Sequence, residues 1–179
     1  GRQWIDELGF DRMMTYGIVW SGTLKAENIV YNLDTTSFDI NYMGVLFPIT
    51  INMVGIHNVY NTICALSSGL IIGLDLKQMI DCLTNFVAPL GRMEPVIHND
   101  VHYYIDFAHT PDGLDKTLSY LSQVKKNGRL ILLTGAMGER DRFKRQMMGK
   151  IADQYADIIV LADEDPGDEP RFQIIQEIK

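Results

Sequence analysis

The residues best suited to chemistry fall in five short stretches. Asn58 and Asn61 stand three apart in an apolar helical pattern. An asparagine amide both donates and accepts, so it pairs well with an adenine edge. The plainer reading, which chemistry alone favours, is that Asn58 caps free backbone amides at a helix start. Arg92 follows Pro89-Leu90-Gly91, where a guanidinium could hold phosphate or ribose oxygens or close a linker salt bridge. Asp106-Phe107-Ala108-His109-Thr110-Pro111-Asp112 sets a carboxylate and an imidazole between a strand pattern and a helix pattern. Of the four histidines, His109 is the best placed for a role.

The fourth stretch, Thr134 to Arg142, holds Gly135-x-x-Gly138 and Arg140, with Lys144 and Arg145 just beyond. The glycines suit a tight strand-to-helix turn and lack the dinucleotide-binding G-x-G-x-x-G spacing. Cations at a helix start oppose the helix dipole, which points to an anionic ligand or a partner carboxylate. The alternative is a solvated helix start, interleaved with Glu139 and Asp141. The fifth stretch, Asp163 to Glu169, includes Glu164 and Asp165 and reads as a solvated acidic loop ahead of a cation site. No catalytic residue and no metal ligand is assigned.

The elements that must position these groups come in two styles. To about Gly55 the chain alternates with period two: from Ile29, then Phe38, Ile40 and Tyr42, then Phe47, Ile49, Ile51 and Met53. An antiparallel meander is expected, with turns at Asp34-Thr35-Thr36 and Met43-Gly44. Pro48 places the last strand at or near an edge. Two helices follow: about Asn58 to Ile72, then one capped by Asp75 with Gln78 three residues on. Val87 to Gly91 reads as a linker, which divides the chain into 1–88 and 89–179. Beyond it, strands at Val101–Ala108, Leu130–Leu133 and Asp157–Leu161 alternate with helices opening at Thr110-Pro111 and at Gln146. That order predicts an α/β fold with one parallel sheet, the polar loops gathered at the carboxyl ends of its strands.

The 179 residues suffice for one domain or two small lobes, and 46% hydrophobic with 22% charged residues suits a packed core. A formal net charge of −7 argues against nucleic-acid or membrane-surface binding. No run reaches the ~18 apolar residues of a membrane span. The opening Gly1 to Asp6 lacks the apolar core of a secretory signal. Cys64 and Cys82 sit in helical patterns without metal-ligand spacing, which suits a reduced, cytoplasmic compartment.

Taken in order, His57-Asn58-Val59-Tyr60-Asn61-Thr62-Ile63-Cys64-Ala65, Gly91-Arg92-Met93-Glu94, Asp106 to Asp112 and Gly138-Glu139-Arg140-Asp141-Arg142-Phe143-Lys144-Arg145 resemble the Mur ligases. Within that family the pattern is most similar to the UDP-N-acetylmuramyl-tripeptide synthetases, from about Thr15 to the last residue. The resemblance implies the antiparallel part of a central ATP-binding domain, followed by the first half of a Rossmann-like amino-acid ligase domain. It also implies an ATP- and magnesium-dependent ligase. Such an enzyme phosphorylates a carboxylate of a UDP-N-acetylmuramyl peptide, and an amino acid's amine then displaces the phosphate to build peptidoglycan. By position, Asn58 and Asn61 would lie at the adenine, Arg92 and Asp106 at ribose and phosphate, and His109 at the nucleotide's edge. Arg140 would grip a carboxylate of the incoming amino acid.

Departures from the family pattern carry their own implications. A G-x-x-x-x-G-K-[ST] loop is missing, as are the family's carbamylated lysine, its magnesium ligands and its UDP-binding domain. The expectation is that these precede Gly1, so that the chain is an internal piece, inactive alone. Members that add meso-diaminopimelate usually carry Asp-Asn-Pro-Arg where this chain reads Glu164-Asp165-Pro166-Gly167. Without that arginine, a cationic amine such as lysine suits Glu164 and Asp165 better. Gly138-Glu139-Arg140-Asp141 replaces the usual Gly-Asp-Arg-Asp, which lengthens one arm. Competing readings are a non-catalytic nucleotide- or anion-binding module and a ligase of the folylpolyglutamate synthetase kind. A methyltransferase or dehydrogenase built on Gly135-x-x-Gly138 is the weakest.

Overall fold

The computed structural model describes residues 13–19 and 22–179; the opening Gly1 to Asp6 lies outside them. The chain divides into two compact units, Gly1–Ala88 and Pro89–Lys179. Among the described residues, no helix is long and apolar enough to cross a membrane.

In the first unit, β1 (Tyr16–Gly17), β2 (Leu24–Tyr31), β3 (Thr36–Tyr42) and β4 (Val45–Ile51) form one sheet in that order. The β2–β3–β4 part is the expected antiparallel meander. β1 adds to it in parallel, and Pro48 sits on the edge strand β4. β2 begins five residues before its alternation becomes legible at Ile29. A register shift between Glu27 and Val30, with Asn28 at φ 52°, breaks the period there. Met43 and Gly44, at φ 53° and 84°, make the two-residue turn whose twist suits a hairpin. Leu24, Ala26, Phe38, Ile40, Ile49 and Ile51 point to one face of the sheet. That face meets Val59, Ile63 and Leu66 of α1 (Ile56–Ile71) and Leu76 and Ile80 of α2 (Leu76–Thr84). The Asp75 carboxylate accepts from the Gln78 amide at 2.9 Å, which caps α2 as its sequence requires.

The second unit departs from the single parallel sheet. β6 (Val101–Ile105) pairs antiparallel with β5 (Glu94–His98), a strand the sequence reading missed. Pro95 disguised it, and the turn signal lay in Asn99-Asp100, both at positive φ. Only β7 (Ile131–Thr134) and β8 (Ile158–Leu161) pair in parallel. Their short apolar runs read as buried strands, yet Leu133 is 69% exposed and Ile131 56%. Helices cover one face of the pair: Leu132 packs with Leu114 and Leu118 of α3 (Pro111–Val124) and Met148 of α4 (Phe143–Tyr155). Leu161 packs with Ile174 and Ile178 of α5 (Arg171–Ile178).

Candidate functional site

Within the second unit, Arg92, Asp106 and His109 are brought together. The Arg92 guanidinium lies 4.9 Å from the centre of the Phe107 ring, and no salt bridge is needed to hold it. The Phe107 and His109 rings meet edge to face, 5.5 Å apart. His109 Nδ1 is 3.1 Å from the Phe107 carbonyl oxygen, which fixes the imidazole against its own loop. Beneath this stack, Asp106 ties three segments. Its Oδ1 accepts from the Met93 and Phe107 amides, and its Oδ2 accepts from the Thr117 hydroxyl at 2.7 Å. With those bonds made, Asp106 has little acceptor capacity left for a ligand.

In the first unit, Asn58 is 8% exposed and is not a cap, because Gly55 holds that position in α1. Its Nδ2 donates instead to the Val54 carbonyl at 2.9 Å, and its Oδ1 accepts from Asn61 Nδ2 at 3.2 Å. The buried asparagine thus locks the strand-to-helix turn and orients the exposed Asn61.

The loops after β7 and β8 enclose a cavity of about 190 Å³, lined by Met137, Gly138, Glu139, Arg140, Asp165 and Gly167. Arg140 and Asp165 therefore meet at one site, whereas Glu164 is not in the lining; it is exposed and lies along Gly135. The glycine turn is dictated by contact: a Cβ at Gly138 would collide with the Pro166 carbonyl, and one at Gly135 with that of Ala162. The Gly138 amide donates to the Asp165 carbonyl at 2.8 Å across the two loops. The first polar loop joins them through Lys144 Nζ, which donates to the His109 carbonyl at 3.0 Å.

The basic run at the start of α4 finds its carboxylates within the unit. Arg145 is fully buried and donates to Glu169, to Glu177 and to the Met137 carbonyl. Arg142 pairs with Glu177. These arginines, with Gln173, hold the Glu177 carboxyl down at about 2. Glu169 is likewise held below the usual carboxylate range, first by Arg145 and then by the Glu139 amide. Among the described residues neither Arg140 nor Lys144 makes an ion pair, but Lys144 is spent on the His109 carbonyl, so of the four basic side chains Arg140 alone has no side-chain hydrogen bond or ion pair. Arg171, the other arginine nearby, is taken by Asp163 at 3.0 Å. The sequence named Arg145 among these cations and offered a partner carboxylate, which it has; its burial went unread, although with Met148 and Ala152 it falls on the buried stripe of α4.

No cluster of three or more His, Cys, Asp or Glu side chains that could hold a metal ion occurs among the described residues.

Residues 91–179, nearly the whole second unit, match the model of the Mur ligase glutamate ligase domain. That unit is a Mur ligase C-terminal domain. Along almost its full length the chain is similar to a UDP-N-acetylmuramoyl-L-alanyl-D-glutamate–2,6-diaminopimelate ligase of Chlamydia muridarum, at 38% identity over 96% of the chain and 36% of the relative. A solved structure of a ligase of the same name is 28% identical with a TM-score of 0.62, over 92% of this chain and 34% of that one. The UDP-N-acetylmuramate–alanine ligase of Thermotoga maritima shares the fold, with a TM-score of 0.73 at 21% identity, over 92% of this chain and 36% of that one. The chain thus spans about a third of the length of the relatives it matches.

Proposed function

We propose that the full-length protein is an ATP-dependent ligase that joins an amino acid to a UDP-N-acetylmuramyl dipeptide in peptidoglycan synthesis. The carrying observation is Arg140: the structure satisfies Arg142, Lys144 and Arg145 internally and leaves Arg140 on the wall of a cavity. A guanidinium so placed suits the carboxylate of an amino-acid acceptor. The Arg92–Phe107–His109 stack offers a cation and two ring edges to a nucleotide, and Asp106 acts by holding that stack in place. Asn61, oriented by Asn58, would read the adenine edge.

ATP supplies the phosphoryl group that activates the carboxylate, and magnesium would offset its charge. The magnesium's ligands are expected outside this chain, as the resemblance implies. This chain's own residues hold the acceptor's carboxylate and the nucleotide's edge. The acceptor amine must reach the activated carbon unprotonated, and the exposed carboxylate of Asp165, on the same cavity wall as Arg140, suits an acceptor with a second, cationic amine. The relatives' names specify 2,6-diaminopimelate. Residues 164–167 here carry no arginine for a second carboxylate, so lysine is the preferred acceptor in this reading.

The test is phosphate release and product mass for the full-length protein with ATP, magnesium, the UDP-linked dipeptide and single amino acids. Lysine-dependent release is expected. Diaminopimelate outperforming lysine would overturn the acceptor, and no release with any amino acid would overturn the ligase reading. The isolated 179-residue chain should release none.

A further inference from the structure

We propose that Arg145 and Glu169 are positioning residues that set the backbone carrying Arg140, and so act on acceptor binding without touching the acceptor. This rests on the ligase reading above. The loop around Arg140 is not shaped by its own sequence: Glu139 sits at φ 53°, a left-handed conformation that non-glycine residues rarely hold unaided. What over-determines it is a chain of charge-assisted bonds. Arg145 Nη2 donates to the Met137 carbonyl at 3.0 Å, on one side of Gly138-Glu139. Its two terminal nitrogens also bind Glu169, at 2.8 and 3.1 Å. Glu169 Oε1 in turn accepts the Glu139 amide at 2.6 Å. The Glu139 carboxylate closes the circuit by accepting the Asp168 amide at 3.2 Å.

The buried guanidinium therefore grips the 137–141 loop twice, once directly and once through Glu169. Burial makes this grip costly: Arg145 Nε has no hydrogen-bond partner, and desolvation opposes the charge. A leucine would fill an apolar helix stripe at lower cost, whereas only a forked donor can hold a carbonyl and two carboxylates at once.

The experiment uses the full-length protein with Glu169→Gln, Arg145→Lys and, as a control, Lys125→Gln, which breaks the Lys125–Asp157 ion pair at 2.6 Å elsewhere in the unit. Glu169→Gln keeps the side chain's size and removes its charge, so it serves if the arginine variant folds poorly. Steady-state KM is measured for the amino acid and for ATP, with amide exchange at Glu139 as an independent readout. Glu169→Gln should raise the acceptor KM roughly tenfold or more, as small misplacements do. The ATP KM should stay within about twofold, and the Glu139 amide should lose protection. Lys125→Gln should lower thermal stability with both KM values unchanged. Equal rises in both KM values, or a Glu139 amide as protected in Glu169→Gln as in the wild type, would overturn the proposal. If the wild type ligates nothing, the ligase reading falls by itself, and the amide readout still decides whether Glu169 holds the loop.

Discussion

In the first unit fully buried apolar side chains such as Leu24, Ile40, Ile51, Val59, Ile63 and Leu66 form the core, a sheet face closed by two helices. In the second unit the largest fully buried side chain is an arginine, and the apolar clusters are small: Leu114, Leu118 and Met148 in one, Ala136, Ile174 and Ile178 in another. Apolar burial is non-directional, so the first unit gains stability from any good fit. A buried guanidinium demands partners at fixed angles, so the second unit spends stability on specifying loops. The unit that carries Arg140 on a cavity wall is the one with a charge in its interior.

Ile63→Ala should produce the largest loss, about 4 kcal/mol, because a fully buried isoleucine leaves a cavity. Urea titration followed by methionine-methyl NMR checks it: Met79 should report an earlier midpoint, and Met148 should not. Arg145→Met should invert that pattern, with a loss of about 3 kcal/mol read at Met148, since Glu169 and Glu177 remain partly exposed and can rehydrate. If both probes shifted together for either variant, the division of labour between the units would be wrong.

Acid comes next. Unfolded glutamates titrate near 4.5, whereas Glu177 is held at about 2 and Glu169 and Asp157 are also depressed. A depressed carboxylate contributes its stability in full above the unfolded value and loses it as pH falls through the folded one. The second unit should therefore weaken between about pH 4.5 and 2. In the first unit the corresponding depressed carboxylate is Glu27, beside Lys25. Urea midpoints at pH 6 and pH 3 should fall further for Met148 than for Met79. The smallest effect should come from the helix caps. Thr110→Ala removes the oxygen that accepts from the Gly113 amide, and Asp75→Ala does the same at Gln78, for about 1 kcal/mol each. Each loss should register in its own unit only.

The same contrast explains what could be read from the sequence. Period-two alternation across Phe38–Tyr42 and Phe47–Ile51 and the stripe Val59, Ile63, Leu66 are local signals of a core, and the first unit's elements follow them. Two of the second unit's helices, α3 and α4, were legible for the same reason, whereas α5 went unread in the sequence. Its sheet was not, because strand pairing is non-local: Val101–Ile105 reads as an ordinary strand whether its neighbour is β5 or β7. The polar residues read at strand ends do come together, since Arg92, Asp106 and His109 cluster, as do Arg140 and Asp165. Which cation would stay unpaired was beyond sequence, because Glu169 and Glu177 reach Arg145 from 24 and 32 residues away. Asn58 shows the same limit, serving the Val54 carbonyl where a cap was the simpler reading.

The role proposed for Arg140 is to hold the acceptor's carboxylate. Its most direct test is the acceptor KM of the full-length protein with and without Arg140→Ala, read by ATP-dependent phosphate release. A rise of roughly ten- to a hundredfold is expected for the amino acid, the cost of one charge-assisted contact, with the ATP KM little changed. An Arg140→Ala enzyme that binds its amino acid as well as the wild type would contradict it.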